Sequence, residues 1–553
     1  MPHPRCPSKG RLVRHRRTLP SLPRLLAPLL LVAVAGTGAV GAAPAPGSGA
    51  AAKAAAPRPL GQIIPAPASV RATGSPYTIT SGSQIRVGSS AEARKVGEAL
   101  AQVLRPSTGY ALPVTSTAGT SGIRLVLDAN DVSLGAEGYR LQSGSSGVTI
   151  TANKPAGLFH GIQTLRQQLP ANVEAKTKQT GPWQVAGGTI TDVPRYAHRA
   201  AMVDVARHFF SVGQLKRYMD QLALYKVNKL HLHLSDDQGW RIAVDSWPRL
   251  ATYGGSTQVG GGPGGYYTKA QYKEIVDYAA ARHLEVVPEI DTPGHTNSAL
   301  ASYAELNCNN VAPPLYTGTD VGFSSLCVGK DITYKFLDDV IGEIAAMTPG
   351  KVIHIGGDEA HSTPHEDYVK FMAKAQAVVG KYGKTVMGWH QLASANPVKG
   401  SIMQYWGTDS EAAERKKVAD ATVNNGVKVV ISPADRTYLD MKYNKDTKPG
   451  LKWAGYVEAQ RSYDWNPGSY IENAAPGSVI GVEAPMWSEN IVNSAEMDYM
   501  LFPRLPGVAE LGWSPASTHN WDQYKTRLAQ QGPRFTALGI DFYKSPQVPW
   551  VTQ

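Results

Sequence analysis

The chain has 553 residues, of which 42% are hydrophobic and only 18% charged, with a formal net charge of +11. Seven of its Lys and Arg fall within residues 1–24, which contain no acid, so without that leader the net charge is +4. A mildly basic surface lacking runs of like charge gives no argument for nucleic acid, for a membrane or for an acidic partner.

Residues 1–43 read as a secretory signal peptide: a basic start, an apolar run from Leu25 to Val34, then small residues. The run is too short to cross a bilayer, which takes about 20 apolar residues. Arg16-Arg17 is a weak match to a twin-arginine signal. The expectation is a secreted, soluble protein. Residues 44–60, made of Ala, Pro and Gly with little else, form a linker because such a composition cannot build a core. Beyond the leader only Cys308 and Cys327 remain, and an oxidising exterior favours a disulfide between them.

Residues 61–195 alternate short β-rich runs (85–87, 123–127, 148–150) with helical patterns over 91–104 and 157–169. This predicts a small α/β domain. It holds no dense cluster of acids, His or Cys, so a structural role is expected. Residues 196–553 change texture to longer strand-plus-helix repeats. Strands are predicted over 201–205, 229–234, 285–290, 352–357, 385–389, 401–406, 428–432 and 479–485. Helices are predicted over 212–226, 269–282, 332–347, 366–382 and 410–425. Near-continuous apolar strands alternating with helices imply a parallel sheet, and eight such units imply a (β/α)8 TIM barrel. The stretch 391–400 is too short and Pro-broken for a full helix, so the fifth crossover is expected to be irregular.

In such a barrel the working residues follow the strands. The first strand is followed by Arg207 and His208, the second by Asp236 and Asp237, the third by Asp291 and His295, and the fourth by Asp358-Glu359. Trp389, Trp406 and Trp487 close the fifth, sixth and eighth. Tyr438 and Asp440 follow the seventh, and Glu489 follows the eighth. Adjacent carboxylates at a strand exit also occur as plain solvated acids, but packing has no use for two neighbouring charges. Three indoles around two carboxylates suit a sugar, whose CH faces stack on aromatic walls while charged groups take its hydroxyls.

The motifs HIGGDE ending in Asp358-Glu359, DVARHFF from Asp204, LHLHLSDDQGWR from Leu230, PEIDTPGH ending in His295 and WSEN from Trp487 resemble those of family 20 glycoside hydrolases, the β-N-acetylhexosaminidases. The residues ahead of the barrel resemble the non-catalytic α/β domain of that family. The resemblance implies a retaining, substrate-assisted reaction. In it Glu359 is the general acid/base, a task that needs a carboxyl protonated at the start of the cycle. Asp358 orients the substrate's 2-acetamido group, whose carbonyl attacks the anomeric carbon, and Tyr438 donates to the acetamido oxygen. It further implies Arg207 and Glu489 on sugar hydroxyls, Asp440 on the six-position hydroxyl, Trp389, Trp406 and Trp487 as pocket walls, and Asp236 with His295 as a pair supporting Glu359. The expected partners are oligosaccharides with a terminal N-acetylhexosaminide; no cofactor is implied.

Two other readings stand beside this one. His231-Leu232-His233 places two imidazoles on one side of a barrel strand, as metal-dependent amidohydrolase barrels do on their first strand, although here the pair falls on the second. The chain could also be a carbohydrate-binding protein that has lost catalysis, a reading against which the intact acid pair argues.

Overall fold

A computed structural model describes residues 56–551. The predicted signal peptide and most of the predicted linker lie outside the described residues. Among the described residues no helix is long and apolar enough to cross a membrane.

The front domain is a seven-stranded mixed sheet. From one edge to the other its strands are Ser69–Ala72, Gly188–Asp192, Tyr139–Gly144, Gly147–Ala152, Gly122–Leu127, Ile85–Arg86 and Val114–Thr115. Helices Ala91–Thr108 and Pro155–Gln168 pack on it, burying Leu100, Leu104, Leu158 and Leu165 in a core shared with Ile123, Ile150 and Ile190. Ser90 caps the first helix through the Ala93 N–H, and Gly109 ends it in the left-handed conformation at φ 69°.

Behind it, eight parallel strands close into a barrel in chain order. They are β1 His198–Asp204, β2 Lys229–His233, β3 Glu285–Glu289, β4 Val352–His354, β5 Thr385–Trp389, β6 Ile402–Tyr405, β7 Lys428–Ile431 and β8 Val479–Met486. All eight predicted strands are present. The largest differences are in β1, which begins earlier than predicted, and in β4, which stops at His354 because Gly356 and Gly357 turn away at φ 70° and 102°. Helix starts are sharply encoded. Ser211 with Gln214, and Thr268 with Gln271, form capping boxes that open helices Val212–Leu224 and Lys269–Ala280. The fifth crossover is the single 3-10 stretch His390–Ser394. The seventh is a long loop containing only short helices, among them Ala434–Thr437 and Ala459–Tyr463.

The front domain meets the barrel at the end where the strands begin. Glu137 takes Arg199 of β1 at 2.6 Å, Asn228 at 3.2 Å and His160 at 3.2 Å. Lys226, fully buried, reaches Asp192 at 3.2 Å and the Tyr139 hydroxyl at 3.0 Å. Trp513, from the barrel's last long helix Arg504–Trp513, belongs to the front domain's core and lies beneath both cations. Burial pushes His160 down to about 4, so its imidazole is neutral at the seam.

Candidate active site

The acid pair stands where β4 opens. A side chain at Gly356 would put its Cβ 1.7 Å from the Asp291 carboxylate, so only glycine lets the backbone pass. The Gly357 N–H then donates to that same Asp291 oxygen at 3.2 Å. The turn delivers Asp358 inward, almost wholly buried, and Glu359 at φ 45° with 28% of its side chain exposed. One carboxylate is thus set into the wall and its neighbour reaches the opening.

His295, after β3, ties the pair to the next strand. Its Nε2 lies 3.3 Å from Glu359 and 3.5 Å from Asp358, and its Nδ1 lies 3.1 Å from Asp236. Burial works against the imidazolium, but Asp236 and then Asp358 outweigh it and raise His295 well above the usual histidine range. Burial likewise opposes ionisation of Asp236, which Arg207 and His295 hold well below the carboxylate range. Burial pushes Asp358 up to about 6, with His295 pulling it down and Glu359 pushing it up. Asp291 is driven well above its ordinary value by burial and then by the charge of Asp358.

Arg207 is held on three sides: by Asp236 at 2.9 Å, by Asp204 at 3.2 Å and through its Nε by Gln238 at 3.1 Å. Its guanidinium lies 5.0 Å over the Trp487 ring. The loop carrying it is pinned by Arg241, which donates to the carbonyls of Val205 at 2.9 Å, Thr257 at 2.9 Å and Ala206. Trp389 and Trp487 pack 5.7 Å apart, Tyr438 lies 6.2 Å from Trp487, and Trp406 is fixed through its indole N–H to Gln391 at 3.1 Å. Burial, and after it the charge of Asp358, raises Tyr438 well above the ordinary phenol value, so its hydroxyl remains a donor.

Several oxygens here have no protein donor. They are Asp358 Oδ1, both oxygens of Asp440, and Glu489 Oε2, and the Trp487 indole N–H is likewise free. Native proteins rarely leave such atoms unpaired when buried. A ring of acceptors with one indole donor between aromatic walls matches a molecule rich in O–H and N–H groups with apolar faces. Burial and then Glu489 push Asp440 up, so the two carboxyls compete for charge.

All eleven residues predicted as catalytic, substrate-binding or supporting therefore gather at one end of the barrel, and Cys308 and Cys327 form a disulfide. Sequence reasoning missed Trp453. It lies in the loop after β7, is 53% exposed, and sets its edge against Trp406 and Tyr438 at 5.9 Å each. No strand precedes it closely, and a tryptophan in an aperiodic loop was the only available signal. His231 and His233 face inward as the metal reading required, yet His231 lies 2.6 Å from Glu483 and His233 lies 2.5 Å from Glu289 and 2.7 Å from Asp236. Those are hydrogen-bond separations, with protons bridging the groups.

The family model "Glycosyl hydrolase family 20, catalytic domain" matches residues 196–516, and "Glycosyl hydrolase family 20, domain 2" matches residues 61–193. A beta-N-acetylhexosaminidase of Cellulomonas fimi is 41% identical over 491 residues, covering 88% of this chain and 97% of that protein. The solved GH20 beta-N-acetylhexosaminidase of Streptomyces coelicolor A3(2) superposes with a TM-score of 0.88 at 67% identity, over 90% of this chain and 100% of that one. A mutant Streptomyces plicatus beta-hexosaminidase in complex with its product GlcNAc gives a TM-score of 0.88 at 68% identity, over 90% and 99% of the two chains.

Proposed function

The chain belongs to glycosyl hydrolase family 20, whose hexosaminidases act by substrate-assisted catalysis, and from that premise we propose that it is an exo-acting β-N-acetylhexosaminidase working with retention. The observation that carries the reading is the placement of Asp358 and Glu359 against one imidazole, His295. Enzymes with a protein nucleophile set two carboxylates on opposite sides of the scissile bond. Here they stand side by side, which leaves the substrate's acetamido oxygen as the nucleophile.

In this reaction Glu359 gives its proton to the leaving oxygen as the glycosidic bond breaks, and the acetamido carbonyl closes on the anomeric carbon to form an oxazolinium. Asp358 accepts the acetamido N–H and offsets the positive charge that grows on that nitrogen. Tyr438 donates to the acetamido oxygen and so aligns its attack. Water then opens the ring, losing its proton to Glu359. Trp389, Trp406 and Trp487 confine the acetamido group and the ring. Arg207, Asp440 and Glu489 take hydroxyls at the closed, polar end, so only a terminal residue fits. Trp453 at the rim offers a face to the leaving group. The front domain is a structural clamp, and the chain is secreted to act on oligosaccharides ending in N-acetylglucosamine or N-acetylgalactosamine, chitin fragments among them.

The test is proton NMR of the first sugar released from a terminal β-N-acetylhexosaminide. The β-anomer is expected, since attack and hydrolysis each invert once, and an α-anomer would sink the mechanism. A pH dependence follows from Asp358. It acts as a carboxylate, and its raised value of about 6 means the free enzyme loses that charge as the pH falls through this point. The ratio kcat/KM should therefore decline on the acid side near pH 6, and a profile flat across that range would count against the role given to Asp358.

A further inference from the structure

The barrel interior carries a carboxylate that the reaction above does not use. Glu289, the last residue of β3, is fully buried, yet it accepts hydrogen bonds from the Trp389 indole N–H at 2.8 Å and from His233 Nδ1 at 2.5 Å. Nitrogens of His231 and His354 each lie 3.0 Å from it. Burial alone would keep such a group protonated, but His233, His354 and His231 overcome it and hold Glu289 well below the carboxylate range. An ionised carboxylate in a barrel centre costs several kcal/mol unless it is this well paired.

What Glu289 touches leads in two directions. One oxygen fixes Trp389, a wall of the acetamido pocket. The other holds His233 so that its Nε2 meets Asp236 at 2.7 Å, and the second oxygen of Asp236 meets His295 at 3.1 Å, whose far nitrogen faces Glu359 at 3.3 Å. His233 also sets its edge on Trp487, with ring centres 4.9 Å apart. Carboxylate and imidazole thus alternate from Glu289 to Glu359, through hydrogen bonds as far as His295 and then through the 3.3 Å charge contact of its Nε2 with Glu359. We propose that Glu289 is a positioning residue that couples the acetamido-pocket wall to the acid/base group, acting through Trp389 on one side and through His233, Asp236 and His295 on the other. The proposal rests on the hexosaminidase reading above.

The test uses the full chain with two substrates, an N-acetylglucosaminide with a nitrophenyl leaving group and chitobiose, whose leaving sugar needs a proton. Wild-type turnover of either substrate secures the functional reading first; its absence would fail that reading and not this one. Glu289→Gln should lower kcat about 10- to 100-fold, the range seen when an outer partner of a working group is lost. The loss should be larger for chitobiose than for the nitrophenyl substrate, with KM nearly unchanged. Trp389→Phe, which removes the indole N–H together with part of the pocket wall, should lower turnover equally for both substrates, without the leaving-group dependence. His233→Asn cuts the other branch and should reproduce the leaving-group dependence. A folded Glu289→Gln enzyme with wild-type kcat on both substrates would overturn the proposal. So would a loss of folding in both Glu289→Gln and His233→Asn, which would assign the cluster to the core alone.

Discussion

A substrate with the same ring and leaving group but a plain hydroxyl at the two-position should be hydrolysed barely or not at all. The magnitudes separate two explanations. Losing one or two hydrogen bonds and a methyl contact removes roughly 2 to 5 kcal/mol of binding. Losing an intramolecular nucleophile removes a proximity advantage that reaches roughly 7 to 11 kcal/mol. An enzyme using Asp358 as a covalent nucleophile would show only the smaller loss. Asp358→Asn should be damaging for a related reason. An amide carries no charge to offset the oxazolinium, and it offers the acetamido N–H a weaker acceptor. The change also takes from His295 one of the two charges that most raise it, so the variant weakens the support of Glu359 as well. Steady-state kcat/KM on the paired substrates and on the variant decides the matter, and a trapped glycosyl ester on Asp358 would refute it.

Glu359→Gln should keep the fold, since this side chain reaches the opening and is the most exposed of the acids around His295. The variant should slow chitobiose hydrolysis by about 100- to 10,000-fold, the range for loss of a general acid. Activated aryl glycosides should suffer far less in the bond-breaking step, because their leaving oxygen departs without a proton. Rates measured across a series of aryl leaving groups give the answer as a slope. An equal loss along the whole series would assign Glu359 to binding.

The barrel was legible because its strands are apolar runs spaced by amphipathic helices, a pattern that burial on both faces imposes on sequence. Helix starts were legible to the residue at Val212 and Lys269, where a capping side chain marks them. The hairpin Tyr139–Gly144 with Gly147–Ala152 was read only in part, because alternating polar and apolar residues in so short a strand leave little signal. The acids and indoles of the site were legible from their places after the strands together with the family motifs. Glu289 was not. It is the last residue of β3, where a charged side chain is read as the end of an apolar run, and only the closed barrel brings it to Trp389 and His233. Trp453 escaped for the opposite reason, since its loop has no period and its partners are Trp406 of the preceding crossover and Tyr438, fifteen residues earlier in the same loop.

The seam between the front domain and the barrel bears on how this chain can be divided. Arg199 and Lys226 belong to the barrel by sequence, but their carboxylates, Glu137 and Asp192, are supplied by the front domain. Cutting there would leave both cations to water without their partners, a loss drawn from the roughly 5 to 15 kcal/mol that holds a typical domain folded. Trp513 would be bared at the same cut. The two domains are consequently not interchangeable cassettes. A catalytic barrel excised at their boundary would carry two orphaned cations and an exposed indole on its underside, and any shortened version of the enzyme has to redesign that surface before it can stand alone.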